Sequence, residues 1–66
     1  MENQIKKLRS EMGLTQEELA KMTGVSRPAL SLIENGETTP NGDTIEKLVK
    51  ALKKDASAIF FSLGVV

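Results

Sequence analysis

The chain has 66 residues, nine of them basic and nine acidic, with no cysteine and no histidine. That length holds at most one domain, near the lower limit at which a hydrophobic core alone keeps a chain folded, and the composition excludes disulfides, thiolate chemistry and the usual zinc ligand sets. Cancelling charges also argue against a nonspecific polycation, so the placement of charge has to matter more than its total.

The hydrophobic period is helical throughout, with no alternating stretch rich in β-branched residues, and predicts an all-α domain. Ile5, Leu8 and Met12 recur at spacings of three and four, so a first helix over about 2–12 turns one stripe inward and stops at Gly13. Residues 1–9 have no continuous apolar stretch and do not read as a signal peptide. Thr15 followed by Glu18 is a capping-box signature, which starts a second helix at Gln16. That helix runs to about residue 22, burying Leu19, part of Ala20 and Met22, and stops at Thr23-Gly24, with Val25 plugging the corner.

Ser26 caps a third helix, whose first turn tolerates Pro28 because that amide would have no intrahelical partner. Leu30 and Ile33 are its inward stripe, and the Asn35-Gly36 pair ends it. A polar loop over 37–42 contains Pro40. A fourth helix, capped by Asn41, spans about 43–52 with Ile45, Leu48, Val49 and Leu52 on one face. Asp55 is expected to cap a short fifth helix reaching about residue 61, before an apolar tail. The run 58–66 is too short and interrupted to span a bilayer, so the pattern reads as a soluble, cytoplasmic protein with no membrane partner. Residues 1–66 form one domain, without repeats.

Two short helices joined by a glycine turn, the second capped and polar on its outer side, are the ingredients of a DNA-reading helix-turn-helix. The free amino end of helix three offers amide hydrogens and partial positive charge to a phosphate. Its outer face suits a major groove about 12 Å wide. Lysines and an arginine crowd helix one (Lys6, Lys7, Arg9) and helix four (Lys47, Lys50, with Lys53 and Lys54 following); they read equally well as solvated faces.

Residues 13–36, GLTQEELAKMTGVSRPALSLIENG, resemble the phage repressor and Cro proteins, the XRE-type regulators. Gln16, Ala20, Gly24-Val25 and Ile33-Glu34-Asn35-Gly36 meet that family's signature in register. The resemblance extends more loosely over almost the whole chain. It implies a lambda-repressor-like five-helix bundle and a sequence-specific transcriptional regulator, a repressor or controller, acting on double-stranded DNA.

Residue by residue, the resemblance makes Gln16 a phosphate contact that fixes register without reading sequence. Asn35, Thr38, Thr39 and Asn41 are expected on the backbone across the groove, and the capped start at Ser26 on a phosphate. Arg9 and Glu34 match a pair that in this family forms a partly buried, structural ion pair. Arg27, Pro28 and Leu32 match base-reading positions, with Ala29 and Ser31 beside them. Arg27 has the forked donors that bond O6 and N7 of guanine, and a grip on a phosphate is the competing role for it. Ser31 suits either a base or a phosphate. Pro28 and Leu32 depart from the polar residues common there and would pack on thymine methyls, although Leu32 also has a reading as core. Glu37 stands where relatives commonly carry a basic residue, which lowers the expected number of phosphate contacts.

The last eight residues hold more apolar surface than so small a core uses. Phe61, Leu63, Val65 and Val66, within a dimerisation element expected at 55–66, are therefore the two-fold contact predicted for a homodimer reading a near-palindrome. The alternatives are a tail folded over its own bundle and a tail that continues into a longer protein. An enzyme is not expected, because the chain is too small for a deep pocket and has no histidine, cysteine or tyrosine, and neither a cofactor, a metal nor a small-molecule ligand is implied. The rival reading is an antitoxin-type module of the same fold whose main partner is another protein.

Overall fold

The computed structural model describes residues 2–60 and folds them into five helices: α1 (Ile5–Glu11), α2 (Gln16–Thr23), α3 (Arg27–Glu34), α4 (Gly42–Leu52) and α5 (Ala56–Ile59). The bundle is all-α, and among the described residues the only extended pairing is one antiparallel bridge between Asn3 and Phe60. The expected dimer contacts Phe61, Leu63, Val65 and Val66 lie outside the described residues, as does the expected end of the fifth helix.

Local chemistry sets most boundaries. Thr15 Oγ1 accepts from the Glu18 N–H at 3.1 Å while Glu18 Oε1 accepts from the Thr15 N–H at 2.9 Å, a complete capping box at the head of α2. The Thr15 donation holds the Glu18 carboxyl below the ordinary carboxylate range. Gly24 ends α2 at a φ of 72°, where a Cβ would meet nothing within 4 Å, so the demand for glycine is conformational rather than steric crowding. Ser26 Oγ accepts from the Ala29 N–H at 3.3 Å and Asn41 Oδ1 from the Thr44 N–H at 2.9 Å, which starts α3 and α4.

Elsewhere contacts distant in sequence overrule the local pattern. Helix one starts at Ile5 instead of residue 2, because Asn3 and Gln4 are tied to other elements. Asn3 Nδ2 donates to the Ile33 carbonyl at 2.8 Å, and the Gln4 N–H and Nε2 donate to the Ile59 and Ala58 carbonyls at 2.8 and 3.1 Å. Met12 caps α1 beyond its last helical residue and is exposed. Met22 is 54% exposed; Thr23 takes the inner place at 4%, its hydroxyl donating to the Leu19 and Ala20 carbonyls. Asp55 makes no side-chain cap bond: the single turn of α5 closes on the Asp55 carbonyl, which accepts from the Ala58 and Ile59 amides.

The core joins all five helices through Ile5, Leu19, Leu30, Leu48 and Ile59, each fully buried, with Phe60 beside them. Truncating one such leucine costs about 2–5 kcal/mol. While α2 packs against both α3 and α4, α3 turns Leu30 and Ile33 into the core and keeps its opposite face for solvent. No helix among the described residues is long and apolar enough to cross a membrane, and no group of three of their acidic side chains is placed to hold a metal.

Candidate nucleic-acid interface

Two inward residues three positions apart fix the rotation of α3, and that rotation sets the rest. Arg27, Pro28 and Leu32 are exposed, Leu32 at 44%, while Ala29 and Ser31 are half-buried at the flanks. Leu32 is therefore not a core residue, and Pro28 and Leu32, four apart, share one side of the exposed surface. At the head of the helix Ser26 takes the Ala29 amide and Pro28 has none. The Arg27 amide remains an orphan donor at the positive end of the helix.

The opposite end is locked. Arg9 Nε donates to Glu34 Oε2 at 2.8 Å and Arg9 Nη2 to Glu34 Oε1 at 3.1 Å, a bidentate pair whose side chains are 13% and 3% exposed. Arg9 Nη1 also donates to the Leu14 carbonyl at 3.2 Å. Donation to the Glu34 carboxylate raises the Arg9 guanidinium above its ordinary value despite burial, so the arginine keeps its proton. This clamp joins α1, the α1–α2 turn and the end of α3.

Gln16 bridges the clamp and the exposed face. Its Nε2 donates to Glu34 Oε1 at 3.3 Å, and its Oε1 accepts from Arg27 Nε at 3.5 Å. Since an amide nitrogen carries two hydrogens, the bond to Glu34 uses one of them. Arg27 Nη1 also lies 4.0 Å from Glu17 Oε2. Sequence reasoning missed Glu17; no periodicity signals it, because its relation to Arg27 crosses the turn.

Beyond α3, Gly36 at a φ of 78° turns the chain back, and the Glu37 amide donates to the Leu32 carbonyl at 3.0 Å. Asn35, Thr38, Thr39 and Asn41 are exposed along this loop, which the buried Pro40 pins to the bundle. Asn35 Nδ2 reaches Glu37 Oε2 at 3.5 Å, and Asn41 spends its carbonyl oxygen on the α4 cap. The α4 lysines behave as a solvated face: Lys47 pairs with Asp43 at 3.1 Å and Lys50 with Glu46 at 3.5 Å, one turn apart.

A helix-turn-helix family model matches residues 5–59. The HTH-type transcriptional repressor RghR of Bacillus subtilis is 39% identical over 64 residues, covering 96% of this chain and 47% of that protein. YgzD of the same organism, an uncharacterized HTH-type transcriptional regulator, is 33% identical over 61 residues, 92% of each chain. Repressor protein C2 of Salmonella phage P22 is 42% identical over 53 residues, 80% of this chain and 24% of that one. The chain spans about half the length of several curated relatives it matches.

Proposed function

The chain belongs to the XRE-type helix-turn-helix family, and from that premise we propose that it is a sequence-specific, double-stranded DNA-binding regulator of transcription, acting in the cytoplasm as a repressor or controller. In this reading α3 enters the major groove. Arg27 bonds a guanine edge, Pro28 and Leu32 pack on thymine methyls, and Ser31 reaches a base or a phosphate. Gln16, the head of α3 at Ser26, Asn35, Thr38, Thr39 and Asn41 hold the phosphate strands on either side. The carrying observation is that α3 buries Leu30 and Ile33 while exposing Arg27, Pro28 and Leu32 beside an orphan amide.

Affinity comes from two copies. Glu17 and Glu37 border the face and the chain has no net charge, so one copy neutralises few phosphates and binds modestly. A homodimer joined through Phe61, Leu63, Val65 and Val66 would set two recognition helices about 34 Å apart and read a near-palindrome.

Selection from random duplexes tests this. Enrichment of a two-fold symmetric site is expected, with affinity lost across all sequences on Gln16→Ala and base preference altered on Arg27→Ala. Equal, weak binding to every duplex would defeat the reading, and uniform weakening by both substitutions would make Arg27 a phosphate contact. A monomeric mass at tens of micromolar protein would remove the dimer.

A further inference from the structure

Arg27 is the only cation of α3, and it does not stand free. Gln16 Oε1 takes its Nε and the Glu17 carboxylate faces its Nη1, both from α2. These contacts leave Nη2 and one hydrogen of Nη1, the end-on edge of the fork, whose geometry matches O6 and N7 of guanine. The Glu17 carboxylate lies between two cations, because Lys21 Nζ approaches its other oxygen at 3.8 Å. The three charged side chains rim an open hollow of about 420 Å³ floored by Ala20 and Val25.

Resting on the function proposed above, we propose that Glu17 is a positioning residue for base specificity: it holds the Arg27 fork edge-outward and at the same time cancels the charge that would bind any phosphate. The two effects work in the same direction. A guanine needs the fork in one orientation, so a buttressed Arg27 loses less freedom on reading it. A phosphate needs only positive charge, and the neighbouring carboxylate withholds it. Glu17 therefore widens the gap between specific and nonspecific DNA without touching either. Because Glu17 and Arg27 are 62% and 63% exposed, their pairing is screened and adds little to folding, so its removal leaves the bundle intact.

The experiment compares the duplex enriched from the random pool with a scrambled duplex of the same length over a salt series. For Glu17→Gln, affinity for the scrambled duplex is expected to rise about 5–10-fold near 0.1 M salt, with the salt slope steeper by about 0.9, one added phosphate contact. Affinity for the enriched duplex is expected to stay level or fall, so the specificity ratio drops by at least the same factor. In an Arg27→Ala background Glu17→Gln is expected to leave the ratio unchanged, as a double-mutant cycle requires of coupled groups. Equal shifts on both duplexes, or the same shift with and without Arg27, would mean simple repulsion between Glu17 and DNA and overturn the proposal. If the unaltered protein prefers no duplex, the function proposed above falls and takes this inference with it; a clear preference that Glu17→Gln leaves unmoved removes this inference alone. Thermal melts of each variant confirm that the ratios compare folded proteins.

Discussion

Two arginine–carboxylate pairs serve the helix-turn-helix unit, and they share little beyond their chemistry. Arg9–Glu34 is bidentate, at 2.8 and 3.1 Å, and almost out of water; Arg27–Glu17 has one contact at 4.0 Å and lies mostly in it. A buried pair is costly to form and more costly to break, since losing one member strands the other charge in a low-dielectric site. An exposed pair is cheap in both directions. The difference separates a fixed element from a loose one: the clamp ties the end of α3 to α1, and the pair at its head leaves the Arg27 side chain mostly in water. Gln16 bonds to both.

The largest effect is expected at the buried pair. Arg9→Ala leaves the Glu34 carboxylate without its bidentate partner and is expected to cost about 3–5 kcal/mol in urea unfolding, much of the stability of so small a domain. Replacing both Arg9 and Glu34 by methionine is expected to recover most of that loss. If the single change costs no more than the double, the clamp is not the architectural element described here. Gln16→Ala removes two long hydrogen bonds, one to a carboxylate that keeps two others and one from the exposed Arg27, so about 1 kcal/mol is expected by the same measurement.

The exposed pair comes next. Glu17→Ala and Arg27→Ala are each expected within about 0.5 kcal/mol of the parent. A loss as large as that of Arg9→Ala would erase the distinction between the two pairs. Glu18 sharpens it in a different way, being exposed yet hydrogen-bonded to the backbone. Its folded value is depressed, so the unfolded chain takes up that proton first, and the stabilisation present above the ordinary glutamate value of about 4.3 is lost as pH falls through the folded one. The stability difference between the parent and Glu18→Gln is expected to shrink between pH 5 and 3, followed by thermal melts, and a constant difference would show that the carboxylate charge is not what caps α2.

How much was legible in the sequence depends on the range of the interaction. Thr15, Gly24, Ser26 and Asn41 act on amides and dihedrals within a few positions, so their roles could be read from spacing alone. Met22 is a misleading inward candidate because helical spacing of three or four from Leu19 admits either Met22 or Thr23 at the inner face. A threonine whose hydroxyl bonds to carbonyls of its own helix fits there without an unsatisfied donor. Asn3 and Gln4 looked helical because their true partners, at Ile33, Ala58 and Ile59, are 30 to 55 residues away. The exposed row of α3 followed from the inward positions of Leu30 and Ile33, since rotation about a helix is a local quantity. The Arg9–Glu34 pair, 25 positions apart, was suggested only by family resemblance, and the contact of Glu17 with Arg27 had no signal at all.

Backbone amide chemical-shift mapping on titration with the enriched duplex tests most directly whether α3 is the reading element. Shifts are expected to concentrate at residues 26–32, with a second group at Gln16 and over 35–41. Shifts centred instead on the lysines of α1 and the end of α4, around Lys6 and Lys53, with 26–32 unmoved, would contradict it.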